Sequence, residues 1–188
     1  MTRREVGAPV EVEHELEIRR PLSEVFAAIS DRERLPAWAA GVKRVRRTPG
    51  EPIGVGATYT IVGKVLGRPV RSTYEVTAYH PHGRFGGRMT SSAFTVEETY
   101  RLQERDGATV VDVKLAAWPQ GRLRLLGPLL GLAVARQLRS DHARLKGMLE
   151  RSRARGAGAP APAPAPSSPP PTEDEDAHER GQQRAGEG

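Results

Sequence analysis

Apolar and polar residues change period twice within the 36 residues from Val10 to Val45. Val10, Val12, His14, Leu16 and Ile18 alternate with Glu11, Glu13, Glu15 and Glu17, the pattern of a half-buried strand with one charged face. In "RRPLSEVFAAISD" the spacing becomes helical: Pro21 suits a first turn, and Leu22, Val25, Phe26 and Ile29 form one apolar stripe. "RERLPAWAAGVKRV" predicts a second short helix carrying Trp38, a stop at Gly41 and a new strand. A strand, two small helices and a return to strands is an uncommon opening.

Turn signals and alternation then mark six further strands, at 42–47, 58–66, 70–78, 84–90, 94–103 and 109–117. Tyr59, Ile61 and Val65 share a face of the second of these, and Val70, Ser72, Tyr74 and Val76 a face of the third. Phe94, Val96, Glu98, Tyr100 and Leu102 align in the next-to-last strand, and Val111, Val113, Leu115 and Ala117 in the last. Asp106-Gly107 predicts the tight hairpin between those two. From 123 to 153 the period is helical again, with Leu126, Leu130, Val134, Leu138, Leu145, Met148 and Leu149 on one side and a bend or restart at Gly127-Pro128. The expected fold is α+β: a curved seven-stranded antiparallel sheet wrapped around a long C-terminal helix, with the small helices plugging one end.

Composition adds a boundary. From Gly156 onward the chain has seven prolines and no Val, Ile, Leu, Met or aromatic residue, so residues 156–188 are expected to be a disordered Ala/Pro-rich and acidic tail behind a domain of residues 1–155. The domain holds 27 basic and 17 acidic residues, a net of +10, against −4 for the tail. Such a charge suits an anionic partner, yet 25 of the 29 basic residues are Arg, as a GC-rich coding sequence would give without selection for binding. Lys43, Arg44, Arg46 and Arg47, with Arg122 and Arg124, could face an anionic membrane surface. No aromatic platform interleaves with them, so specific nucleic-acid binding is not expected.

With no cysteine, thiolate and disulfide chemistry are excluded. No apolar run reaches the roughly 20 residues of a membrane span and no signal-peptide core is evident, so a cytoplasmic location is expected. His80-Pro81-His82 has turn chemistry and no further ligands, and Gly54-x-Gly56 is not followed by a helix, so neither a metal nor a cofactor is expected.

The order and spacing of "IRRPLSEVFAAISDRERLPAWAAGVKRV", "GVGATYTI", "YRLQERDGATVVDVKL" and "LRSDHARLKGMLERS" resemble the START/Bet v 1-like helix-grip superfamily, also called SRPBCC or polyketide cyclase/dehydrase-like, over residues 10–151. The resemblance implies a ligand space between sheet and last helix. It does not select a function, since such families include lipid and sterol carriers, quinone binders, hormone receptors, aromatic polyketide cyclases and ribosome-associated proteins.

If strand parity holds, the residues facing that space include Tyr59, Ile61, Ser72, Tyr74, Phe94, Tyr100 and Val113, with Val134 and Leu138 from the helix and Trp38 and Trp118 near the mouth. They form the expected contact set of a hydrophobic small molecule (lipid, quinone or polyketide-like). The polar members of the facing set, His14, Tyr59, Ser72, Tyr74, Glu98 and Tyr100, could instead do chemistry. A cyclase or dehydratase needs a donor to polarise a carbonyl and a base to take an acidic proton, for which His14, Tyr74 and Glu98 are the candidates. No paired acids or nucleophile–base pair stands out, so binding leads over catalysis. Asp141, on the apolar stripe of the last helix, either pairs with His14 across the space or with Arg144 or Gln137 on its own helix. His142 falls at the stripe's edge.

Overall fold

Glutamates at every second position keep one face of β1 (Val10–Ile18) in water, while Val12 and Ile18 are buried on the other. The computed structural model describes residues 8–50, 53–65 and 67–157, without the side chains of residues 122–123, 126–128 and 153–157. The tail expected beyond residue 155 therefore lies almost wholly outside the described residues, as does the side chain of Arg122.

Pro21 precedes α1 (Leu22–Ser30), which buries Val25, Phe26, Ala28 and Ile29. Asp31 ends it and starts a 3-10 turn (Arg32–Arg34), its carboxylate accepting from the Glu33 N–H at 3.2 Å. α2 (Leu35–Trp38) follows with Pro36 in its first turn. Then come β2 (Val42–Arg47), β3 (Thr58–Val65), β4 (Arg68–His80), β5 (Arg84–Thr90), β6 (Phe94–Arg105) and β7 (Ala108–Pro119). They form one antiparallel sheet in the order β1-β7-β6-β5-β4-β3-β2. Sequential hairpins build β3 to β7, and β1 closes against β7 because the two small helices carry the chain across the sheet before β2.

Three strands run further than alternation implies. β4 begins at Arg68, so Pro69 lies within the strand near its start, where it is tolerated, and continues past a bulge between Val76 and Ala78 to His80. The bulge shifts parity by one and brings Tyr79 opposite Phe85 on the concave face. β6 and β7 reach Arg105 and Ala108, joined by Asp106-Gly107 with φ of 51° and 74°, the two left-handed residues of a type I′ hairpin. At the C-terminus the restart at Gly127-Pro128 is real: a 3-10 turn (Gly121–Leu126) gives way to α3 (Gly127–Ala157).

α3 packs on β1 and α2. Its C-terminal half is sealed: Asp141, His142 and Leu145 are buried, and Leu145 joins Ile18, Val25, Ile29, Phe85, Val111 and Val113 in the core. Its N-terminal half is not, with Leu129 and Leu132 75% and 69% exposed and Leu130, Val134 and Leu138 half-buried. At that end the helix backbone lies over the start of β1, since a Cβ added at Gly131 would touch Val10 Cγ1 at 3.4 Å. Among the described residues no helix is long and apolar enough to cross a membrane.

Candidate functional site

Strand register fixes which residues share the concave face. Tyr59 lies opposite Tyr74, Tyr74 opposite Met89, Phe85 opposite Tyr100, Gly87 opposite Glu98, Glu98 opposite Leu115, and His14 opposite Val113. The face is thus continuous from Tyr59 on β3 to His14 on β1. Met89, Phe94, Val96, Glu98 and Leu115, at one end of it, are only half-buried although they face inward. This is the end where α3 is loose, so sheet and helix do not seal against each other there.

A buried polar cluster forms the floor of this unsealed end. Arg32, only 2% exposed, pairs with Glu98 Oε1, and Glu98 is 13% exposed in its side chain. Arg32 also donates to the Tyr74 hydroxyl at 3.0 Å and to the Ile29 carbonyl at 3.4 Å. Tyr74 in turn donates to Glu98 Oε1 at 2.9 Å, and Tyr100 donates to Glu98 Oε2 at 3.1 Å. The Arg32 guanidinium lies over the rings of Tyr74 and Phe85, 4.5 and 5.1 Å from their centroids. Burial pushes the Tyr74 and Tyr100 phenols above their ordinary range, against the opposing effect of Arg32, so both hold their protons and act as donors at neutral pH. Gly87 is required for this arrangement: a Cβ there would stand 2.2 Å from the Tyr74 Cζ and hydroxyl oxygen.

A second cluster adjoins the first through Tyr100. The His14 and His142 rings stack with centroids 5.3 Å apart and planes 12° from parallel. His142 also meets the edge of Tyr100 at 5.8 Å and the Trp38 ring at 5.9 Å. Burial, then His14 and Arg32, lowers the His142 pKa to about 4, and burial followed by Arg139 lowers that of His14. At neutral pH both imidazoles are therefore uncharged.

Of the residues expected from the sequence, the structure brings His14, Trp38, Tyr74, Glu98 and Tyr100 into these two linked clusters. Tyr59 joins them by an edge contact to Tyr74 at 6.3 Å, and burial raises its pKa as well. Ile61 and Ser72 are buried on the same face, and Val113 beneath His14. Phe94, Val134 and Leu138 border the unsealed end. Trp118 does not belong with them. β7 pairs without a break from Ala108 to Pro119, so Trp118 has the parity of Lys114 and Ala116, opposite Thr95 on the convex face. Its predicted place at the mouth rested on strand ends rather than on parity.

Asp141 keeps to its own helix and to α2, accepting from Gln137 at 2.8 Å, Arg144 at 3.0 Å and the Ala40 N–H at 3.1 Å. It is therefore a clasp between α3 and the end of α2, and it is His142 that meets His14. His82 caps the β4–β5 turn with φ of 65° and packs edge-on to Phe26. In the basic cluster, Lys43, Arg44 and Arg46 are exposed on β2, an edge strand, and Arg47 is half-buried. The sequence reading passed over Arg32, because it sits in the charged run Asp31-Arg32-Glu33-Arg34. Its one signal was spacing: three residues beyond Ile29, it continues the buried stripe of α1.

The family described as "Polyketide cyclase / dehydrase and lipid transport" matches residues 9–151. No curated protein sequence matches the chain. Among solved structures, the Zhui aromatase/cyclase from Streptomyces sp. R1128 superposes with a TM-score of 0.67 at 18% identity, over 80% of this chain and 98% of its own. A START superfamily protein from Mycobacterium smegmatis gives 0.63 at 15% identity, over 75% and 97%. A conserved protein from Geobacillus kaustophilus gives 0.65 at 16%, over 76% and 96%. At these identities the likeness to START and aromatase/cyclase structures is one of fold, and the match over residues 9–151 makes the chain a member of the polyketide cyclase/dehydrase and lipid transport family.

Proposed function

We propose that this chain binds a hydrophobic small molecule between the concave face of its sheet and the N-terminal half of α3. The observation that carries the reading is the group of inward-facing apolar residues, Met89, Phe94, Val96 and Leu115, left half-buried on the concave face, while Leu130, Val134 and Leu138 of α3 are half-buried as well. Nearer the middle of the same face Tyr100, Leu102, Val111 and Val113 are closed to solvent. Apolar surface facing inward but not closed over is a natural ligand site, and the polar cluster at its floor is rigid enough to orient what enters. The test is titration of the full chain with N-phenyl-1-naphthylamine, a dye that fluoresces in apolar surroundings. Saturable one-site binding is expected, weakened roughly tenfold or more in Val134→Trp, where the larger ring occupies the gap. Non-saturable binding, or equal binding by the variant, would refute the reading.

A second reading, catalysis of polyketide cyclisation or dehydration, draws on the two tyrosines that hand their protons toward Glu98 at the same floor. Here Tyr74 would polarise a carbonyl and Glu98 would take a proton, with His14 as the alternative base. Both Glu98 oxygens are already engaged, so a substrate would have to displace a tyrosine first, which is why binding leads. Tyr74→Phe and Glu98→Gln separate the two: turnover of a poly-β-ketone thioester would collapse in an enzyme, while dye binding persists in either case. Contact of Lys43, Arg44 and Arg46 with an anionic membrane is a separate proposal, tested by co-sedimentation with phosphatidylserine vesicles across a salt series.

A further inference from the structure

His14, His142 and Trp38 carry buried nitrogens that none of the described residues satisfies. His142 is 1% exposed and Trp38 3%. Among the described residues, neither ring nitrogen of His142 has a hydrogen-bond partner, nor does His14 Nε2 or Trp38 Nε1. An orphaned donor or acceptor in a dry interior is costly, and four on three rings joined through His142 is a concentration that ordinary cores avoid. We propose that these three side chains are the polar end of the ligand site, and that they select a molecule bearing an uncharged oxygen, a hydroxyl or carbonyl, over one bearing a carboxylate. The inference rests on the reading of the interior as a ligand site.

The chemistry follows from what the rings can offer. A neutral imidazole presents one donor and one acceptor, and the indole N–H is a donor only. Together they match a hydroxyl, which both donates and accepts, or a carbonyl, which accepts from the indole and one imidazole. A carboxylate fares worse because the charges facing this spot are already matched or distant. Arg32 is paired with Glu98, and Asp141, on the same turn of α3, is engaged by Gln137, Arg144 and the Ala40 N–H. Arg139, which acts on His14 through its field, is exposed to water. Burial opposes protonation of either imidazole, so neither is a ready counter-ion. An anion would give up its hydration without gaining a cation.

Three probes of one shape test this on the full chain at pH 7.5: 1-naphthol, naphthalene and 1-naphthoate, followed by quenching of tryptophan fluorescence. Expected is roughly tenfold tighter binding of 1-naphthol than of either other probe, as for one or two well-made hydrogen bonds. His142→Phe keeps the ring and removes both nitrogens, and should bring 1-naphthol down to the level of naphthalene while naphthalene binding is retained. Should that variant fail to fold, as circular dichroism would show, His14→Phe at a half-buried position reads the same preference. Equal affinity for all three probes, tightest binding of 1-naphthoate, or a preference unchanged in the variants would each overturn the inference, the first indicating that water alone fills these positions. Failure of every probe to bind would instead sink the ligand-site reading on which it stands.

Discussion

Replacing Glu98 by glutamine removes the counter-charge of Arg32 without changing the size of the side chain. Arg32 is 2% exposed and Glu98 13%, so the guanidinium would be left deep in the protein with aromatic faces, the Tyr74 hydroxyl and the Ile29 carbonyl but without its paired carboxylate. Breaking a buried pair from one side destabilises by about 3–5 kcal/mol. For a domain of this size that corresponds to a melting temperature lower by about 6–20 °C. Urea denaturation of wild type and Glu98→Gln at pH 7.5 measures it directly, provided the slopes agree. Glu97, the next residue, supplies the control: its pair with Arg88 is 46% and 53% exposed in its side chains, and Glu97→Gln should change stability by about 0–1 kcal/mol. Adding Arg32→Met to Glu98→Gln removes the orphaned charge, and the double variant should be more stable than the sum of its single changes by at least about 1 kcal/mol. A Glu98→Gln variant as stable as Glu97→Gln would show that the pair is hydrated, and the buried cluster described above would not exist.

Gly87→Ala drives a methyl into the ring of Tyr74 at 2.2 Å, and with that ring 1% exposed and fixed by Arg32 and Glu98 the cost should be about 1–3 kcal/mol or more, largely recovered in Gly87→Ala/Tyr74→Ala by a denaturation cycle. His142 titrates at about 4 when folded and near 6.5 when unfolded, so the unfolded chain binds the extra proton between those values. Stability should thus fall as pH drops from 6.5 towards 4, by about 3 kcal/mol from this group, and the slope between pH 6.5 and 5 should flatten in His142→Phe. Trp118→Ala, on the convex face, should leave N-phenyl-1-naphthylamine affinity within about twofold of wild type, whereas Phe94→Ala, at the unsealed end, should weaken it well beyond that.

The fold was legible in the sequence wherever one period ran unbroken. The glutamates of β1 and the alternation of β6 gave strand and facing together, and register then brought Tyr74, Glu98 and Tyr100 onto one surface as expected. What sequence could not show was pairing between distant segments. Arg32 reads as one of four consecutive charged residues, and only the packing of α1 against β5 and β6, and of the turn after it against β2, buries it over Phe85. His142 sits at the edge of an apolar stripe, about 100° around the helix from Asp141, and only the packing of α3 on β1 and α2 settles that His142 rather than Asp141 faces His14. Trp118 was misplaced for the opposite reason: a large ring near a strand end suggested a mouth, where two-residue parity already pointed outward.

The central claim is that the unsealed half of the interior holds an apolar molecule, and native mass spectrometry of the freshly purified full chain, followed by organic extraction, tests it most directly. The account predicts a species heavier than the 20.5 kDa chain by a small-molecule mass at near-stoichiometric amount, releasing a hydrophobic, oxygen-bearing compound, with that species lost in Val134→Trp. Retention of the same compound by Val134→Trp, or a bare chain that also takes up no N-phenyl-1-naphthylamine, would contradict it.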